Sequence, residues 1–220
     1  MRFRFRIVFL GVFGVFALLL WGCTTIQTLD LKYSPDKVPP PVPSQVKIAV
    51  LPFENATWNG QENPFWVGQA SLYGMKLYSP TSVSYLVTQG VKKEMVSYGY
   101  QLSPDEIYTI HINRQDIRTL LSRVPHLQVD LLVGGVISQF FIQQVGRFVA
   151  EVEIEAYLAK PPQGDIIWNK KIGYREVRIP FASDNITFQS QEILNNLLEK
   201  TLKDLFWNSD FRLRTLNENK

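Results

Sequence analysis

Three features of the 220-residue chain predict an α+β fold, a mixed and mainly antiparallel sheet with helices packed on it. Phe148 to Ala159 alternates apolar residues with Glu151, Glu153 and Glu155, the period of a strand with one buried face. Two segments, 80–98 and 189–207, carry apolar residues at helical spacing. Three long strands follow one another across short turns, so a meander is expected between the helices.

Taken in order, the chain begins with Arg2, Arg4 and Arg6 ahead of fourteen apolar residues, Ile7 to Leu20. That run suits a signal peptide and is short of the ~20 residues that cross a bilayer as a helix. Leu20-Trp21-Gly22-Cys23 resembles the bacterial lipobox, with Trp21 where a small residue is usual. The resemblance implies cleavage after residue 22 and acylation of Cys23, and Thr24 in place of Asp implies sorting to the outer membrane. The alternative is an uncleaved helix that ends at Cys23. Residues 23–44 read as the lipidated cysteine and a tether, because Tyr33 to Pro43 holds five prolines. At ~3.1 Å per residue such a tether would hold a domain about 60 Å from the lipid.

A single domain is expected over 45–212, with a polar tail at 213–220. Val46 to Phe53 reads as a buried first strand. Residues 54–79 read as an irregular insertion. Residues 80–98 form a helix with Ser79 as cap and Gly99 as terminator, and a second helix is expected over 113–123, stopped by Pro125. The strands 129–143, 148–159 and 166–179 follow, and a final helix covers 189–207. Pairing the last two strands so that residue numbers sum to 326 sets Ile154 opposite Ile172 and Leu158 opposite Trp168 on the core face. It also sets Glu155 opposite Lys171 and Glu151 opposite Arg175 on the wet face.

The helix that ends Val91 to Tyr100, the strand Val129 to Phe140 and the meander with its closing helix resemble the YajG-type small lipoproteins. Val46 to Asn55 followed by Val129 to Val136 is similar, more loosely, to the α/β domain of curli-secretion and penicillin-binding-protein activator lipoproteins. The resemblance implies a non-enzymatic accessory protein of the outer membrane, its domain facing the periplasm, with no chemistry to carry over.

Composition limits the functions further. Lys and Arg number 23 against 20 Asp and Glu, and the three leader arginines account for the excess, so the charge gives no basic face for nucleic acid. One cysteine excludes a disulfide within the chain, and His111 and His126 stand alone where a metal site needs three or four convergent donors, so each reads as a loop or helix-end residue. The chain has no HExxH, GxSxG or phosphate-loop motif. Gly134-Gly135 has no helix directly after it, so close packing of a helix on the strand is the better reading. No cofactor or metal is expected.

The insertion holds Trp58, Phe65, Trp66, Tyr73 and Tyr78 but only three charged residues, Glu54, Glu62 and Lys76. Such a composition suits either a partner surface or a lid folded on the domain's own core. The leading expectation is a lipid-anchored module that docks on another envelope protein or on itself. The alternative is an envelope hydrolase or saccharide-binding enzyme built near Trp58, Trp66 and Glu62.

Overall fold

The computed structural model describes residues 26–35, 46–70, 74–103, 128–161, 163–179, 185–207 and 210–211. The leader, Cys23, Tyr73, the helix expected at 113–123, both histidines and the tail lie outside the described residues.

The meander forms as its alternation requires. Strands β7 (Leu131–Val145), β8 (Arg147–Lys160) and β9 (Asp165–Arg178) are joined by turns at Gly146 and Gly164, whose φ of 73° and 74° favour glycine. The β8–β9 register is the one expected, with Ile154 opposite Ile172, Leu158 opposite Trp168, Glu155 opposite Lys171 and Glu151 opposite Arg175. The ion pair is diagonal, however: Lys171 Nζ lies 2.6 Å from Glu153 Oε1. Gly173 opposite Glu153 offers no side chain, so the carboxylate lies over the glycine and reaches the lysine two residues away.

β7 is the spine. One edge pairs with β8 along almost its whole length. The other edge takes in turn β2 (Lys47–Val50), β3 (Glu54–Asn55) and β4 (Trp66–Ala70), all parallel to it. β6 (Gln101–Leu102) flanks β2, while β5 (Met75–Tyr78) and then β1 (Ile26–Thr28) flank β4. Five of the eight pairings among the described residues are therefore parallel, which corrects the expected mainly antiparallel sheet. The antiparallel pairs lie next to each other in sequence. Each parallel pairing brings a strand of two to five residues to a partner far away in the chain, where hydrophobic periodicity carries no pairing information.

Helices α2 (Val83–Ser97) and α3 (Ile186–Phe206) cover one face. The cap of α2 is Ser82, accepting from the Tyr85 N–H, rather than Ser79, and Gly99 ends the helix at φ 85°. Asn185 caps α3. Where they meet the sheet, Phe148, Val152 and Ile154 of β8 and Leu194 and Leu198 of α3 are fully buried. Gly134 and Gly135 make room for side chains, not for a helix: a Cβ at Gly135 would meet the Phe53 ring and one at Gly134 the Tyr157 ring.

Two expectations about segments are corrected. The region 54–79 is no irregular insertion, because β3, α1 (Trp58–Glu62), β4 and β5 extend the sheet and bury Val67, Ala70 and Leu77 completely. Residues 26–35, assigned to the tether, are also part of the domain. β1 pairs with β5, and Leu29, Leu31 and Tyr33 are buried in the main core.

Candidate functional site

The aromatic corner of the domain is built on the turn that precedes β4. Asn55 Oδ1 accepts from the Thr57 N–H at 3.2 Å and hydroxyl at 2.6 Å, and Thr57 Oγ1 in turn caps α1 by accepting from the Gly60 N–H at 3.0 Å. Asn59, 1% exposed, donates through Nδ2 to the Trp66 carbonyl at 2.6 Å and so ties the helix to β4. Its Oδ1 is buried with no hydrogen-bond partner. Trp66 Nε1 donates to the Gly68 carbonyl at 2.6 Å.

On this frame the expected aromatic residues separate. Trp66 is buried, and its ring packs edge-to-face with Trp58 at 5.1 Å and 76°, with Lys76 Nζ 5.1 Å from its centroid. Trp58 is 59% exposed and Phe65 43%. Tyr78 is half-buried in β5, and Tyr73 lies outside the described residues. Trp58 and Trp66 border a cavity of about 190 Å³, whose wall includes Gly68, Gln69, Phe141 and Gln143. The corner thus presents the exposed Trp58 and Phe65 rings beside a small pocket. The Trp58 ring is already ordered by its packing on Trp66 and would lose little freedom on contact with another surface.

The candidate enzyme residue Glu62 is exposed at the end of α1. Glu151, Glu153 and Glu155 line the sheet face away from α2 and α3, opposite Arg175, Gly173 and Lys171. Among the described residues no group of three His, Cys, Asp or Glu side chains is placed to hold a metal ion.

A second site was missed by the sequence reading. Residues 26–35 run along α3, where the Thr187 hydroxyl donates to Gln27 Oε1, Gln191 Oε1 accepts from the Asp30 N–H at 3.0 Å, and Asn195 Oδ1 accepts from the Lys32 N–H at 3.2 Å. These helix residues are spaced by four, a single stripe of uncharged polar groups reading an extended backbone. Lys93 Nζ donates to the Tyr33 carbonyl at 2.7 Å, and the Tyr33 hydroxyl donates to Glu94. Glu94 is 2% exposed, and burial pushes its pKa above the ordinary 4.5.

The fold is similar to that of protein XCC0632 from Xanthomonas campestris, of the DUF330 family, with a TM-score of 0.56 at 10% identity over 89% of this chain and 100% of that one. Lipoprotein GNA1162 from Neisseria meningitidis gives a TM-score of 0.40 at 14% identity over 70% and 96% of the two chains. The C-terminal domain of LpoB from Salmonella enterica gives 0.37 at 10% over 61% and 86%. The likeness to the Xanthomonas protein is one of fold, and the other two superpose too loosely to carry an argument. No family model and no curated protein matches the chain.

Proposed function

We propose that this chain is a non-catalytic accessory lipoprotein of the bacterial outer membrane, of YajG type, held by acylated Cys23 and docking on another envelope component from the periplasmic side. The observation that carries the docking half is the aromatic corner, where Trp58 and Phe65 stand exposed on a hydrogen-bonded frame beside a small cavity. The anchor rests on Leu20-Trp21-Gly22-Cys23 after the apolar leader. Several acyl chains on one cysteine would make a practically irreversible attachment at ~0.8 kcal/mol per buried CH₂.

The experiment for docking is crosslinking in intact cells with the wild-type chain and with Trp58→Ala and Phe65→Ser. The reading requires a defined crosslinked species, a partner or a second copy, that both substitutions weaken while the folded domain persists. Undiminished crosslinking in the chain that carries both substitutions together would refute it. For the anchor, mass spectrometry of the wild type should find acyl chains on an N-terminal Cys23, and Cys23→Ser should remove them and leave the leader uncleaved. An unmodified cysteine in an uncleaved wild-type chain would refute this half.

A further inference from the structure

Ile26 opens the folded domain only three residues after Cys23. Three residues span at most about 10 Å. The headgroup layer of one leaflet is about 5–8 Å deep, so an acylated Cys23 leaves no room for a stand-off and brings the nearest end of the domain to the bilayer surface.

That end is identified by the sheet. Ile26 pairs with Lys76, Lys76 with Gln69, Gln69 with Gln143, Gln143 with Val149 and Val149 with Val177, one rung crossing five strand pairings. Just beyond it lie the β7–β8 turn, the exit of β9 and, through the Gln27–Thr187 contact, the first turn of α3. Five of the eleven exposed large apolar residues among the described ones lie here: Ile26 at 65%, Val145 at 45%, Val177 at 51%, Ile179 at 78% and Phe188 at 63%. Lys76 and Arg147 are exposed beside them. Large apolar side chains from separate elements, flanked by cations at one end of a molecule, match the apolar and phosphate layers of a lipid surface.

We infer that this end of the domain is a membrane-contact face that lies on the lipid bilayer carrying the anchor, with Ile179 and Phe188 entering the headgroup region. The inference rests on the proposed acylation of Cys23 and adds an orientation to it. The aromatic corner is set back on the same side of the sheet: Trp66 pairs with Tyr78, which pairs with Thr28, two residues along from Ile26.

The test uses the full-length chain in native envelopes, with the photoreactive residue benzoylphenylalanine placed singly at Ile179 or Phe188. Control positions are Val96 and Trp207, exposed residues at the far end of α2 and α3. Phe188 and Trp207 are separated by about 29 Å along α3 at 1.5 Å per residue. Phospholipid adducts several-fold more abundant at 179 and 188 than at 96 and 207 are expected. A Gly/Ser linker of about twenty residues inserted after Thr25 adds roughly 25 Å of reach and should bring the two sets to the same level. The acylation state of Cys23 is read by mass spectrometry in the same preparation. Acylated protein with adducts equal at both ends, or with protein rather than lipid adducts at 179 and 188, overturns the contact face and leaves the anchor standing. An unacylated Cys23 overturns the anchor and this inference with it.

Discussion

Leu29→Ala distinguishes a domain that starts at residue 26 from one that starts near residue 45. In a tether Leu29 would be solvated, and its truncation would change stability by less than about 0.5 kcal/mol. In the structure it is fully buried, its N–H donates to the Tyr78 carbonyl at 2.7 Å, and its side chain belongs to the same core as Leu31, Tyr33 and Leu77. Truncation of a fully buried leucine costs about 2–5 kcal/mol, the higher values where the cavity cannot collapse. The neighbours of Leu29 are held by the α3 stripe and by Tyr33, so the site cannot collapse freely, and a cost in the middle of that range is expected. With urea slopes of about 1–3 kcal/mol per molar, the unfolding midpoint should fall by about 1 M or more. If the segment detaches instead, proteolysis at Lys32 should accelerate while the rest of the domain persists. A midpoint unchanged within error together with unchanged cleavage at Lys32 would refute the docking of this segment and the short anchor that follows from it.

Trp66→Ala should cost about 3–5 kcal/mol because the ring is buried, whereas Trp58→Ala should leave the melting midpoint nearly unchanged and weaken crosslinking, as paired thermal melts and crosslinks will measure. Glu94 holds its proton more tightly folded than unfolded, so its contribution to stability is complete below about pH 4.5 and is lost as pH rises through the raised folded value. Glu94→Gln should therefore gain on the wild type as pH rises from 4 to 7, by no more than about 1.4 kcal/mol per pH unit, and parallel pH curves in urea melts would exclude this. Gly135→Ala, which would drive a methyl group into the Phe53 ring and the Glu155 carbonyl, should cost about 1–3 kcal/mol or more in the same assay, and a neutral result would refute that packing.

The long elements were legible because each carries many periods of its pattern. In β8 the alternation of Ala150, Val152, Ile154 and Ala156 with Glu151, Glu153 and Glu155 fixed both its buried face and its register against β9, and Glu153 reached Lys171 on the diagonal because Gly173 left a gap. β3, β4 and β5 have two to five residues each, too few for alternation to separate from chance, and their aromatic residues suggested a loop where the chain instead adds strands to the sheet. For residues 26–35 the signal was present and was outweighed. Leu29, Leu31 and Tyr33 alternate with Asp30 and Lys32, the strand pattern, but the prolines from 35 onward gave the whole stretch the composition of a tether. Thr187, Gln191 and Asn195 at four-residue spacing were a second trace of the same contact, an uncharged polar stripe on a helix whose other exposed positions include charges.

The early start of the domain also restricts what the aromatic corner can meet. On a tether of about 60 Å, Trp58 and Phe65 would search the periplasm freely and could engage a soluble partner at any height. With β1 folded from Ile26, the corner would be fixed to an acylated Cys23 through the rungs β1–β5–β4, and Trp66 lies two residues beyond the Ile26 rung, about 7 Å at strand spacing. An acylated chain would then hold Trp58 within a few tens of ångströms of the lipid surface, at a height fixed by the sheet. The partner chemistry this favours is a surface that itself lies at the membrane, a lipid-anchored or integral envelope protein or a second anchored copy. Confinement to one membrane plane raises the effective concentration of such partners, so a modest apolar contact suffices. The same linker insertion that frees the lipid-contact end should then weaken crosslinking from the corner, even though Trp58 and Phe65 are untouched. Crosslinking that survives the linker at full strength would show that the partner does not depend on membrane confinement.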